Sequence, residues 1–136
     1  MSEILKTILE WFLRISLSLG FLSASADRFG FWPPKMSTWG HWQSFLDYTS
    51  VLNPWFPTSF IPIIGAIVTA LEIALALALL LKLETRITAY SSGLLLLIFG
   101  ISMAFAIGIK APLDYSVFSA SAAAFSLLLF ENRKKK

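Results

Sequence analysis

Residues Ser59–Leu81 read SFIPIIGAIVTALEIALALALLL, twenty-three residues whose only charge is Glu72, close to the middle. A helix needs ~20 apolar residues to cross the hydrocarbon core of a bilayer, so this stretch is a membrane span. Ile4–Ala26, ILKTILEWFLRISLSLGFLSASA, has the same character and places Arg14 near its middle. A charge at mid-depth costs roughly 2.5–3.5 kcal/mol on insertion scales. A cation in one span and an anion in the next therefore predict that the two helices turn these groups toward each other.

Working outward, Arg86–Ile109 and Pro112–Phe130 form two more apolar runs. Lys82, Glu84 and Arg86 mark a tight turn between the second and third spans, and Lys110-Ala111-Pro112 another between the third and fourth. Pro62 falls in the first turn of the second span, behind the capping candidates Thr58 and Ser59, where its missing N–H does little harm. The expected fold is an all-α membrane protein: a single domain over residues 1–136, built as a four-transmembrane-helix antiparallel bundle. Composition agrees. The chain is 57% hydrophobic and 14% charged, against about 25% charged in soluble domains, and a soluble protein this small cannot bury so much apolar surface.

Several chemistries are excluded at once. With no cysteine, the chain holds no thiol–disulfide relay, iron–sulfur cluster or Cys-ligated metal of its own. Its one histidine, His41, cannot by itself make a His-based metal site or a bis-histidine haem. No metal and no resident cofactor are expected. The basic residues gather at helix ends and in the tail, a topology signal rather than a nucleic-acid footprint. Antiparallel spans place Lys6, Lys82, Arg86, Arg133, Lys134, Lys135 and Lys136 on one side, and Arg28, Lys35 and Lys110 on the other. Seven against three makes both termini cytoplasmic. Lys6, an apolar stretch and Ala24-Ser25-Ala26 imitate a secretory leader, but Arg14 interrupts the would-be apolar core, so the first span is expected to be permanent.

One connection is long, from Asp27 to about Pro57, and it carries Phe29, Phe31, Trp32, Trp39, Trp42, Phe45, Trp55 and Phe56. Aromatic rings at this density suit the headgroup layer, which predicts an interfacial segment lying on the membrane. Trp42, Phe45, Leu46 and Leu52 share one face of a short helix ending at Asn53-Pro54. The same rings also fit a lid over a ligand pocket.

At 100° per residue, Thr7, Glu10, Arg14, Ser18, Phe21, Ser25 and Arg28 fall on one stripe of the first span. All but Phe21 are polar, so the stripe must look inward, away from lipid. On the second span Gly65, Thr69, Glu72 and Ala76 share a face that admits a close neighbour. Counting ten residues from Ile4 to Arg14 and ten from Lys82 to Glu72 sets both ~15 Å deep, which predicts an Arg14–Glu72 contact, with Glu10 a second mate for Arg14. Two roles stay open: a salt bridge that locks helix register, or a centre in which Glu72 takes a proton or Arg14 anchors a polar ligand head. Arg14, Glu72, Glu10, Ser18, Ser25 and Thr69 are the candidates for proton relay or ligand binding. Asp27, Arg28, His41, Lys110 and Asp114 form a second polar group at the outer end, which equally fits solvated helix ends. Gly93, Gly100 and Ala104 on the third span, and Ser119, Ala123 and Ser126 on the fourth, are packing seams.

Arg14, Phe21, the basic Arg28 fourteen residues on, the Pro62-marked span with its central Glu72, the following Arg86 and the stretch Gly108–Ser116 together resemble the DoxX-like family of small membrane proteins. The resemblance covers nearly the whole chain. It departs from the family pattern at Ser18 and Ser25, where glycines are usual, and at the alanines after Glu72. It implies a four-helix subunit of the bacterial inner (cytoplasmic) membrane, linked to quinone-dependent or other membrane oxidoreductase systems, with a redox partner protein that carries the metal or flavin. On that basis the chain has no catalytic activity of its own, and its ligand is a quinone. The alternative is a non-enzymatic bundle that binds a lipid-like molecule or scaffolds another membrane protein. Transport of a small ion is the third option, which four short spans serve poorly without a second copy. A homo-oligomer would supply that second copy.

Overall fold

The computed structural model describes residues 1–134, with side chains through Glu131; the basic tail Arg133–Lys136 used in the charge count lies outside the described side chains. All regular structure among the described residues is helical. It comprises α1 (Glu3–Arg28), α2 (Trp42–Leu52), α3 (Ile61–Leu81, entered through a 3-10 turn at Thr58–Phe60), α4 (Thr85–Ile107), α5 (Lys110–Asp114) and α6 (Val117–Ser126, continued as a 3-10 helix over Leu127–Lys134).

Local chemistry sets these limits. Ser2 caps α1 by accepting from the Leu5 amide at 3.1 Å, and Glu3 in the first turn and Arg28 in the last match the helix dipole. Pro62 occupies the opening turn of α3. The α3–α4 corner needs two left-handed residues, Lys82 (φ 54°) and Glu84 (φ 36°), and α4 stops at Gly108 (φ 100°).

Three helical stretches are long and apolar enough to cross a membrane: Glu3–Arg28, Thr58–Leu81 and Thr85–Ile107. The fourth expected span, 112–130, is interrupted. Ser116 sits at φ 56° between α5 and α6, leaving the shorter apolar helix Val117–Glu131. The molecule is thus a helical bundle of three long apolar helices and one shorter one, compatible with a membrane. Its outer surface fits: Ile4, Ile8, Phe12, Ile15 and Leu19 of α1 and Ile87, Leu94, Ile98, Ile101 and Phe105 of α4 are all exposed, a continuous apolar coat that a water-soluble monomer does not carry.

Helix α1 packs on α3 and α4 on α6, with α3 and α4 joining the pairs. The main core holds Leu17, Phe21, Leu75, Ala76, Leu79, Ala89, Leu95, Ala124 and Leu127. The α4 seam is the expected one. A Cβ on Gly93 would lie 2.6 Å from Phe125 Cζ, and one on Gly100 2.7 Å from Phe118 Cε1. The seam expected on α6 is realised in part: Ala123 is half-buried and lines a groove with Phe12 and Leu13 of α1. Ser119 is exposed, and Phe118, Ser121 and Phe125 meet α4 instead, with Ser121 Oγ donating to Gly93 O at 2.7 Å. Rings of α6 fill the gaps that the glycines of α4 leave.

A smaller core caps one end, where Phe45, Leu46 and Ile61 pack with Trp39, Trp42 and Ile64. Gly65 is the contact that lets α2 lie on α3, since a Cβ there would meet Leu46 Cδ2 at 2.7 Å. The expected helical face of the aromatic connection is largely realised, with Phe45, Leu46 and Thr49 buried.

Candidate functional site

Thr69 and Glu72 stand one turn apart on α3, and α1 ends opposite them with Arg28. Arg28 Nη1 donates to Glu72 Oε2 and, at 2.8 Å, to Thr69 Oγ1. Both charged side chains are 97% buried. Above them the guanidinium carbon lies 3.9 Å from the Phe45 ring centroid and 5.3 Å from that of Trp39. Those rings come from the aromatic connection, so the lid and the ion pair are one construction.

Asp27 builds the lid. Its carboxylate accepts from the amides of Thr38 (2.7 Å), Trp39 (3.1 Å) and Gly40 (3.3 Å). Gly40 at φ 81° lets the chain turn there. One buried carboxylate therefore holds the strap that carries Trp39 over Arg28. Tyr48 of α2 packs its ring 6.0 Å from Trp39, and burial pushes its phenol above the usual tyrosine range.

The expected Arg14–Glu72 contact does not form. Arg14 Nε donates to Glu10 Oε2 at 2.8 Å, Nη1 to Leu79 O at 3.1 Å and Nη2 to Thr85 Oγ1 at 2.8 Å. Lys82 also reaches Glu10 Oε2, at 2.9 Å, and stacks over Trp11 at 5.5 Å. The reason is helix register. Ser18 Oγ donates to Ala76 O at 3.0 Å, so position 22, not 14, stands level with Glu72. Eight residues amount to ~12 Å of rise. Equating Ile4 with Lys82 as bilayer edges ignored that the first turns of α1 run past the end of α3.

Of the polar stripe on α1, Glu10, Arg14, Ser18, Ser25 and Arg28 are buried as expected, whereas Thr7 is exposed and donates to Glu3 O. The stripe is divided into two centres, named by the expected topology: an inner one of Glu10, Arg14, Lys82 and Thr85, and an outer one of Arg28, Glu72 and Thr69. The outer-end group is likewise divided. Asp27 and Arg28 belong to the lid and the ion pair. His41 caps α2, accepting from the Ser44 amide at 3.3 Å. Lys110 and Asp114 pair with each other in the open. No hydrogen bond or ion pair among the described residues joins His41, Lys110 or Asp114 to the Arg28–Glu72 centre.

Three buried polar atoms around the outer centre have no hydrogen-bond partner: Ser25 Oγ, Arg28 Nε and Trp39 Nε1. Ser25 lies one turn before Arg28 on the same face of α1, and Trp39 lies over the guanidinium. An unmade hydrogen bond at a buried donor costs ~1–3 kcal/mol, and lipid offers no substitute. The three atoms belong to neighbouring residues, since Ser25 shares a face of α1 with Arg28 and the Trp39 ring lies 5.3 Å from the guanidinium carbon. A fourth, Ser92 Oγ, stands alone on α4. The chain matches no family model, no curated protein and no solved structure. Among the described residues no group of His, Cys, Asp and Glu has metal-ligand spacing.

Sequence reasoning missed Lys82 and Thr85 as partners of the inner centre and Trp39 and Phe45 as walls of the outer one. Lys82 had a signal, since a lysine ending an apolar helix can fold back along its stem. Nothing in the sequence tells which two of the nine Phe, Trp and Tyr rings in the connection cover Arg28.

Proposed function

We propose that the chain is a DoxX-like, four-span subunit of the bacterial inner membrane that holds a small carbonyl-bearing ligand, of quinone type, at the Arg28–Glu72 centre. The three unpartnered atoms around that centre carry the reading. Arg28 and Trp39 supply N–H groups that only donate, and the Ser25 hydroxyl can donate as well. Arg28 and Glu72 cancel in charge, so a neutral acceptor oxygen suits the site better than an anion. The rings of Trp39 and Phe45 offer faces to a flat molecule. Glu72, tied to Arg28, is the one group of this centre that can exchange a proton with such a ligand.

The redox group belongs to a partner protein in this reading, and the chain itself binds and positions. Both termini face the cytoplasm, and the aromatic segment lies in the outer headgroup layer. A second reading, a non-enzymatic binder of another lipid-like molecule, draws support from the same donors.

Gentle purification followed by solvent extraction tests the proposal. Wild-type protein should retain quinone well above an unrelated membrane protein from the same membranes. Trp39→Phe and Glu72→Gln should lose most of it. Quinone at the background level, with a different lipid enriched instead, would favour the second reading, and no enrichment of either would end both.

A further inference from the structure

Beside the outer centre, on a different face of α1, runs a groove of about 400 Å³ walled by Gly20, Ser23 and Ala24 of α1 and by Trp32, Met36 and Trp39 of the aromatic connection, with Asp27 and Thr38 forming its polar end. We infer that the ligand of the Arg28–Glu72 centre is an amphiphile that enters sideways from the bilayer leaflet on the loop side and lays its hydrocarbon tail in this groove. The inference rests on the proposed ligand-binding role of that centre and adds the tail, the entry route and the leaflet.

Four observations carry it. Trp39 belongs to both places: it lines the groove, and its ring lies 5.3 Å from the Arg28 guanidinium carbon. Gly20 is an exposed glycine in the interior of a long helix, and a Cβ there would meet nothing within 4 Å. Glycine in such a place costs roughly 0.5–1 kcal/mol against alanine. The helical glycines Gly65, Gly93 and Gly100 are explained by close side chains; Gly20 has no neighbour to admit, only a groove to leave open. The wall is built rather than incidental, because Trp32 Nε1 donates to Ser23 O at 3.1 Å and pins the indole along α1. Finally, Gly20 to Arg28 spans eight residues, ~12 Å along the helix, so the groove runs inward from the helix end along the direction of an acyl chain. Its size falls within the ~300–1,000 Å³ range of small-molecule sites.

The probes are two synthetic benzoquinones, one with a ten-carbon alkyl tail and one without, titrated into wild-type protein in lipid nanodiscs. Binding is read by quenching of tryptophan fluorescence, with concentrations expressed per lipid. The tailed compound should bind wild type about fivefold more tightly through added dispersion contacts. Gly20→Leu, with its melting curve checked, should erase that ratio. A tail-end diazirine should label the α1 segment from Leu19 to Ser25. A tail advantage untouched by Gly20→Leu, or labelling confined to other helices, overturns the groove. Equal binding of both compounds to wild type also overturns it but leaves the polar-head site standing. No saturable binding of either compound overturns the groove and the proposed function together.

Discussion

Removing Glu72 should leave the Arg28 guanidinium buried without its anion, and the size of that defect distinguishes the observed pairing from the one expected from depth alone. Both side chains are 97% buried, so Glu72→Leu and Arg28→Met should each destabilise by ~3–5 kcal/mol, the usual cost of breaking a buried pair. Replacing both removes both charges, and such double replacements are often close to neutral. The two single effects should therefore not add. Discounting for the modest couplings measured within bilayers, we expect a coupling of at least ~2 kcal/mol. Arg14→Met combined with Glu72→Leu should instead be additive within ~0.5 kcal/mol, because Arg14 bonds to Glu10, Leu79 and Thr85. The assay is unfolding in mixed micelles at fixed total detergent, followed by tryptophan fluorescence. Strong coupling of Glu72 to Arg14, with none to Arg28, would refute the register argument and the outer centre with it.

Two further outcomes follow from the lid and the seam. Asp27→Ala deprives the amides of Thr38, Trp39 and Gly40 of their acceptor; at ~1.5–3 kcal/mol for bonds to a charged group, their hydrogen exchange should quicken by about ten- to a hundredfold, and unchanged rates would mean that something else holds the strap. Gly93→Ala places a methyl group against Phe125 and should cost ~1–3 kcal/mol by overpacking, with Phe125→Leu recovering most of the loss in the double variant; equal instability of single and double variants would show that ring contact is not what Gly93 provides.

Much of the architecture is legible from one-dimensional information, because lipid acts as a uniform solvent. Three long apolar runs become long helices, and Pro62 marks an end at which the backbone rules apply locally. The polar stripe on α1 is equally readable, since helical periodicity places Glu10, Arg14, Ser18, Ser25 and Arg28 on one side and only protein offers them partners. The fourth run was less legible. Its composition is apolar throughout, and nothing in it announces that Ser116 adopts a left-handed conformation.

Pairing between helices required the third dimension. Composition states that the charges must be satisfied, but which cation meets Glu72 depends on how far α1 slides along α3, and a slip of two turns leaves every inward-facing residue inward-facing. Side-chain packing decides that slip: Ser18 finds Ala76 O, Arg14 finds Leu79 O, and Arg28 arrives at Thr69 and Glu72. The position of Trp39 likewise depends on Asp27 gathering three amides from a connection whose residues have no periodic pattern to read. Periodicity specifies a face of a helix; only contact specifies the height along it.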